Sequence, residues 1–550
     1  MATSSALWLA ASVLLLIVFL PSFIQPSVPK GLKAIPGPRG LPVFGNTFQL
    51  SGRPQAQLRR WAKQYGDLFQ LRLGYYNWVY VNDPAAVKDI FDKQSAVTSG
   101  RIPAPALSDL VSGGKRFLLM GYTPEWRKLR AFVHKLFTPK ASQVFLPSQE
   151  FEAKQMINDI YRDSQRGDET AFYMHVRRYT TSVVLTSTYG KRTPVWDCEI
   201  IREVYGIMED FGRAASPGAF LVDSFPPLAQ IIPRPLQWWR RSASRYRKRQ
   251  ERLWMKLFKE LQSASAAGTA PECFVKQLVE NNFEKHGIDE LQAAFVAGST
   301  HDRGGIRNNQ LDSEQCHQIS RSFPGCSIKG ACEISKIVGN DRSPTFDDEN
   351  NLPYIRAMVK EILRLRPTTS IGIQHFTTAD VQYNGYFIPK NTAVSLNQYA
   401  LHYDERHKDP DSFIPDRFLE HQLKAGAYAG GADPYERDHY SFGVGRRICP
   451  GLHVAENSLF ITLAKLLWAF EIRAPLDSTG KQSYVDVSDN AYEEGAGTSP
   501  TPYRMRFIPR NARREQTLLT EWKNAQEEGY YLGDIKVSAD GVVQKEKGGP

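Results

Sequence analysis

The run Ser441-Phe442-Gly443-Val444-Gly445-Arg446-Arg447-Ile448-Cys449-Pro450-Gly451 is the stretch of this chain whose residue types most clearly point to chemistry. It leads directly into the helical pattern Leu452-His453-Val454-Ala455-Glu456. A cysteine at such a helix N-terminus has its thiolate favoured by the helix dipole and by loop amide donors. Such a sulfur is ready to bind a metal. Gly445 and Gly451 allow backbone to approach a flat ligand, Phe442 can lie against its face, and Arg447 can pair with a carboxylate at its rim. A structural cysteine buried beside a turn would leave these glycines and arginines unexplained.

The elements that must position this loop read as mostly helical. Amphipathic spacing recurs over 124–137, 151–163, 240–262, 353–365 and 449–470. A helix over 55–65 precedes two alternating segments, Leu68–Leu73 and Trp78–Val81, which predict a hairpin around Gly74, and short strand-like pieces follow near 374–396. No internal repeat is present. With 550 residues, 42% hydrophobic and 11% aromatic, the chain can bury a large core, which excludes disordered, collagen-like and disulfide-miniprotein classes. Its six cysteines are scattered with no CxxC pair, which fits a reducing, cytosol-facing compartment.

The formal charge of +11 suits an anionic membrane surface, an acidic partner protein or nucleic acid. Ala6 to Ile24 carries no charge over nineteen residues, just enough to span a bilayer, and Lys30 and Lys33 follow it. The expectation is an uncleaved anchor over residues 1–28 with its C-terminal flank in the cytosol, then a stiff Pro/Gly hinge over 29–45. A second mixed segment, Ile231 to Trp239, is apolar and aromatic and is followed by Arg240, Arg241, Arg245, Arg247, Lys248 and Arg249. It reads as a solvated helix face over a buried aromatic ridge or as a lipid-bilayer contact. No recognition module accompanies it, so nucleic acid is not an expected partner.

Phe442, Gly445, Arg447, Cys449 and Gly451 resemble the F-x-x-G-x-R-x-C-x-G haem-binding loop of the cytochrome P-450 family, with all five defining positions present. The resemblance covers residues 30 to 510 apart from one window. It implies a mainly α fold with a small β domain, the cytochrome P-450 fold, preceded by one N-terminal transmembrane helix. The cofactor it implies is haem b, iron protoporphyrin IX, with Cys449 as the axial thiolate. Glu361-Ile362-Leu363-Arg364 is similar to the family's E-x-x-R motif, whose two side chains share a helical face. Pro415-Asp416-Arg417-Phe418 is similar to P-E-R-F, with Asp416 as a departure. The resemblance implies a buried cluster of Glu361, Arg364 and Arg417 behind the cysteine loop. It likewise implies that Trp126 and Arg130, in a W-x-x-x-R pattern, and His375 face the haem propionates.

The catalytic domain expected from this resemblance runs over 46–510, with a charged, glycine-rich extension over 511–550 that carries no recognisable chemistry. Function follows as a monooxygenase using dioxygen and electrons from NADPH, delivered by NADPH-cytochrome P-450 reductase. It would sit in the endoplasmic reticulum membrane facing the cytosol and oxidise a small organic substrate. The stretch 423–429 looks most like fungal microsomal members acting on aromatic or polyketide-derived molecules in secondary metabolism. Segments 101–121, 220–225, 368–373 and 492–498 are the expected pocket loops.

One window departs from the pattern. Ala293 to Ser299 begins the family's distal helix correctly, but His301 to Gln310 lacks the acid-threonine pair that serves dioxygen chemistry, and 301–332 stays polar and unperiodic. No catalytic residue is therefore assigned on the distal side. The ten residues His301 to Gln310 can be written in codons that, read one base later, encode Met-Ile-Glu-Ala-Gly-Ser-Glu-Thr-Thr-Ser and restore the motif. A reading-frame slip is one explanation. The alternatives are a haem-thiolate isomerase or dehydratase that needs no dioxygen, and an inactive pseudoenzyme or faulty gene model.

Overall fold

Helix α1 (Pro54–Tyr65) begins at a proline whose fixed φ suits a first turn, and Gly66 leaves it at φ +87°. It feeds the antiparallel hairpin of β1 (Leu68–Leu73) and β2 (Tyr76–Val81), and the glycine expected to turn it, Gly74, adopts φ +60°. Phe69 stacks on Tyr80 across the pair at 5.3 Å between ring centroids. Four later strands return to this region: β3 (His375–Phe376), β4 (Val381–Tyr383), β5 (Tyr386–Ile388) and β6 (Ala393–Leu396). The main sheet runs β1-β2-β6-β3, with β6 parallel to β2, while β4 and β5 form a separate hairpin. The computed structural model describes residues 27–545 except 43, 51, 217, 300–323, 368, 370, 484–485, 487, 493–499 and 502.

The rest of the body is helical. Along the chain come α2 (Pro124–Leu136), α3 (Leu146–Gln165), α4 (Phe172–Tyr189), α5 (Glu199–Ala214), α6 (Trp239–Ala266), α7 (Glu290–Gly298), α8 (Pro324–Ile337), α9 (Pro353–Leu365) and α10 (Leu452–Ala469). The predicted helix over 353–365 matches α9, and those near 124, 151, 240 and 449 differ by a few residues at their ends. Leu459, Ile461, Leu463 and Leu467 of α10 are buried against Ile355 and Met358 of α9 and Ile157 of α3 within one continuous core. The short pair β7 (Phe470–Arg473) and β8 (Arg506–Pro509) follows.

One expectation changes. The helical domain with small sheets is present, but no helix among the described residues is long and apolar enough to cross a membrane, so the expected transmembrane helix is not supported. The apolar helix α10 is no substitute for it, because its apolar surface lies in the core and it carries the buried Glu456 and Lys465. The segment 6–24 itself lies outside the described residues. The extension beyond 510 packs on the helical body. Helix α11 (Ala512–Glu528) and the hairpins of β9 (Tyr530–Leu532), β10 (Ile535–Val537) and β11 (Val543–Lys545) cover α3. Trp522 meets Phe151 edge-on at 5.5 Å, and Leu532 and Val537 are fully buried.

Candidate functional site

Gly445 can sit where it does only because it lacks a side chain. Its φ is +57°, and a Cβ there would stand 2.3 Å from the carbonyl oxygen of Phe91. This close approach locks the cysteine loop against the turn at 88–93. The Cys449 amide donates to the Phe442 carbonyl at 2.8 Å, which closes the loop on itself just before α10. Phe442 packs against the His439 ring at 5.4 Å. Around Gly451 the chain is open: a Cβ there would meet nothing within 4 Å. Cys449 forms no disulfide. Among the described residues no group of three or more His, Cys, Asp or Glu side chains is placed to hold a metal ion, so a metal here would rest on the sulfur and on whatever ligand brings it.

Side chains from two other elements, α2 and β3, converge on this loop. Thr123 accepts the Trp126 amide and so starts α2, which places Trp126 and Arg130 one turn apart on one face. Trp126 is buried, and the Arg447 guanidinium lies over its ring at 3.7 Å. Arg447 donates to the carbonyls of Ser99 at 2.9 Å and Met120 at 2.8 Å, and Arg130 donates to the Ile448 carbonyl at 2.6 Å. His375, on β3, is buried with Nδ1 2.8 Å from the Thr98 carbonyl. The structure brings Trp126, Arg130, His375, Phe442, Gly445, Arg447, Cys449 and Gly451 into one region.

Electrostatics make this region unusual. Burial, with the neighbouring Arg101 and Arg130, pushes the Arg447 guanidinium down to about 8. Burial pushes Arg101 down to about 10 and lowers Arg130 as well. Burial and the same two cations, Arg101 and Arg447, hold His375 well below the ordinary histidine range, so it is neutral. Among the described residues no carboxylate forms a salt bridge with Arg101, Arg130 or Arg447; their hydrogen bonds go to backbone carbonyls. Among the described residues these three like charges have no carboxylate counter-charge, and only the Cys449 sulfur acts on Arg130 as an anion, which suits the place to an anionic ligand.

Sequence reasoning missed Arg101. It donates to the carbonyls of Leu118 at 3.0 Å and Gln374 at 2.7 Å. Its neighbour Gly100 exchanges hydrogen bonds with Phe376, and this long-range pairing sets Arg101 beside His375. No local periodicity encodes such a contact. The one available signal was its place at the start of the pocket loop 101–121.

Glu361, Arg364 and Arg417 form a buried charged cluster of their own. The Glu361 carboxylate is fully buried and accepts from Arg364 at 2.7 and 2.8 Å, from Arg417 at 3.1 Å and from the Ile414 amide at 2.8 Å. Arg364 uses its remaining donors on the carbonyls of His402, Pro410 and Ser412. Every strong hydrogen-bonding direction is used, which is what a buried ion pair requires. Gln292 on α7 donates to the Lys115 carbonyl at 2.8 Å. Gly298 lets α7 lie on Trp254, whose ring carbon would be 2.3 Å from a Cβ. The chain beyond Ser299, with the missing acid-threonine pair, lies outside the described residues, as do most of 492–498 and parts of 368–373.

Comparison with known proteins decides what this arrangement belongs to. The family model for cytochrome P450 matches residues 35–301 and 329–488. The chain belongs to the cytochrome P450 family. It is 38% identical to cytochrome P450 monooxygenase pgmC of Aspergillus terreus over 517 residues, 93% of each chain. It is 36% identical to cytochrome P450 monooxygenase verL of Clonostachys rogersoniana, over 90% of each, and 34% identical to virE of Hypocrea virens, over 89% of this chain and 88% of that one. This P450 is accordingly an oxidoreductase of the monooxygenase type, in a family that carries haem, draws electrons from a redox partner and acts on small organic molecules. The family match breaks over 302–328, inside the window that departs in sequence.

A separate open cleft of about 950 Å³ lies on α6, lined by Trp238, Arg240, Arg241, Arg245, Lys248 and neighbours. Trp239 is buried while Trp238 is 69% exposed, so the aromatic segment is split between core and surface. It takes no part in the Cys449 site.

Proposed function

We propose that this P450 is a haem-thiolate monooxygenase in which Cys449 is the iron ligand and Arg101, Arg130, His375 and Arg447 hold the two propionates. The observation that carries the reading is the trio of half-buried guanidinium groups beside Cys449 that have no carboxylate partner among the described residues. The two propionates of haem b would supply the charge they lack, and the open space at Gly451 suits a flat ring. Neutral His375 is then a hydrogen-bond donor or acceptor rather than a fourth cation. Bound there, haem supplies dioxygen activation, with one oxygen atom passing to a small organic substrate and the other leaving as water. The chain's own part is to hold that group. Arg130, through the Ile448 carbonyl, and the Cys449 amide, through the Phe442 carbonyl, fix the sulfur's position. The cluster of Glu361, Arg364 and Arg417 keeps the surrounding segments from shifting.

Electrons come from NADPH through a flavoprotein reductase. The exposed Arg127, Lys128, Lys135 and Arg446 beside the cysteine loop suit an acidic partner. The cations and exposed tryptophan of the α6 cleft support a peripheral contact with a lipid bilayer, on the cytosolic face of the endoplasmic reticulum. The fungal relatives support an aromatic or polyketide-derived substrate in secondary metabolism. The test is the carbon monoxide difference spectrum of the purified chain: a thiolate-type band that Cys449→Ser abolishes is expected, and an unchanged spectrum in that variant overturns the ligation.

The departure at 302–328 favours a second reading for the chain as written, an isomerase or dehydratase that needs neither dioxygen nor reductase. Product formation without NADPH supports it; strict dependence on NADPH and reductase removes it. The reading-frame slip is tested by the gene: genomic and transcript sequences incompatible with the shifted codons refute it.

A further inference from the structure

Helix α9 carries Lys360 directly before Glu361, and both are buried, yet they serve different partners. The Lys360 ammonium donates to one Asp438 carboxylate oxygen at 2.6 Å, with both side chains almost wholly withdrawn from solvent, and lies 4.9 Å from the centre of the Tyr428 ring. The other Asp438 oxygen accepts the His439 amide at 2.8 Å. His439 is buried too, and burial pushes its imidazole down to about 4, so the ring is neutral. Its Nδ1 accepts the Ser441 amide at 3.3 Å, and its ring meets Phe442 edge-on at 5.4 Å. The Phe442 carbonyl in turn accepts the Cys449 amide. A second bond ties the same segment to the same helix: the Ser441 hydroxyl donates to the Leu363 carbonyl of α9 at 2.5 Å. An unbroken chain of contacts therefore leads from the Lys360–Asp438 pair to the cysteine.

We propose that Lys360 and Asp438 are a positioning pair for the haem that Cys449 would hold: their opposite charges, locked against the segment that runs into the cysteine loop, balance each other there and so set the ferric–ferrous equilibrium. The inference rests on the proposed haem site. Stability alone does not account for the pair, because a buried ion pair gains little over well-packed apolar residues of the same volume. In a protein interior of effective dielectric about 20, a lone unit charge acts beyond contact distance with the strength of roughly a tenfold change in an equilibrium. While both charges are present, their effects oppose. A lone carboxylate favours the ferric state, which carries the greater positive charge, and a lone ammonium favours the ferrous one. The field reaches α10, the helix that follows Cys449: Glu456, pushed up first by burial, feels Lys360 and Asp438 with opposite signs. Arg437 is a further cation in this segment, but it donates to the carbonyls of His439 and Gly443 and is a constant background when the pair is changed.

The experiment is a redox titration at pH 7 of the haem-loaded, full-length protein. It compares the wild type with Lys360→Met, Asp438→Asn, Asp438→Glu and the double variant Lys360→Met with Asp438→Asn. Lys360→Met is expected to lower the reduction potential and Asp438→Asn to raise it. Each shift corresponds to about a tenfold change in the ferric–ferrous equilibrium, about 59 mV for one electron. Asp438→Glu, which keeps the charge, and the double variant, which removes both charges, are expected to stay near the wild type. The carbon monoxide band, unmoved in every variant, shows that the sulfur still holds the iron. A purely structural role moves both single variants the same way, so shifts of one sign, or no shift, overturn the inference. Where a single variant takes up no haem, the double variant is expected to restore uptake, because it leaves no charge uncompensated; loss in the double variant as well overturns the balance of charges. A wild-type protein that takes up no haem refutes the proposed function and this inference with it, whereas haem-loaded protein whose potentials do not split refutes the inference alone.

Discussion

Glu361→Gln is the substitution for which the structure sets the sharpest expectation. The change keeps side-chain shape but removes the negative charge that faces Arg364, fully buried, and Arg417, nearly so. It also replaces an acceptor oxygen by an amide N–H, and whichever way the amide turns, that N–H points at an arginine donor or at the Ile414 amide. The cost of breaking one partner from a buried pair is about 3–5 kcal/mol, because the remaining charge is left in a medium that cannot solvate it. An exposed pair supplies the contrast: Arg473 and Glu471 stand 2.8 Å apart with side chains 41% and 48% exposed. Glu471→Gln is expected to cost under about 1 kcal/mol. Urea unfolding followed by tryptophan fluorescence, with haem retention scored in parallel, measures both. Arg364→Met combined with Glu361→Met is expected to cost less than the sum of the two single changes. Equal, small losses for Glu361→Gln and Glu471→Gln would refute the claim that the cluster braces the cysteine loop.

Three further outcomes are expected. Gly445→Ala places a Cβ against the Phe91 carbonyl at a left-handed φ, which costs at least about 1–3 kcal/mol and lowers haem retention in purified protein. Glu456 on α10 is pushed up to about 7 by burial, so its folded-state pKa stands above its unfolded one. The stability it favours is therefore present below the unfolded carboxyl range and is lost as pH rises through about 7. Glu456→Gln should flatten that part of a melting-temperature profile and raise stability at pH 8, by at most about 3 kcal/mol from a shift of roughly two pKa units. Trp522→Ala empties the contact with Phe151 and is expected to cost about 3–5 kcal/mol in urea unfolding, whereas a loose extension would cost nothing measurable.

Legibility in the sequence followed the range over which each signal acts. Helix α9 was readable because its apolar residues repeat on one face and its ion pair falls within a single turn. The cysteine loop was readable because glycines, an arginine and a cysteine crowd into eleven residues. Helix α4 was not: Thr180, Thr181, Ser182, Thr186, Ser187 and Thr188 are all buried in it, so no polar face alternates with an apolar one. The hydroxyls of Thr181 and Ser187 donate to backbone carbonyls of the helix, and that of Ser182 to the Glu152 carboxylate. Arg101 acts through a partner more than one hundred residues away, and composition cannot reveal such a pair. Charge and glycine after residue 510 suggested solvent, yet a few buried aromatic and aliphatic positions decided the outcome.

That last feature bears on how the chain is made. Arg514 reaches back to the Trp468 carbonyl at 2.9 Å, and Arg192 donates to the carbonyl of Ala539. During synthesis, the cysteine loop leaves the ribosome well before the segment that finishes the wall over α3. The nascent domain must wait with that wall open, and a premature stop just past residue 510 would strand it there, exposed to chaperones and proteases.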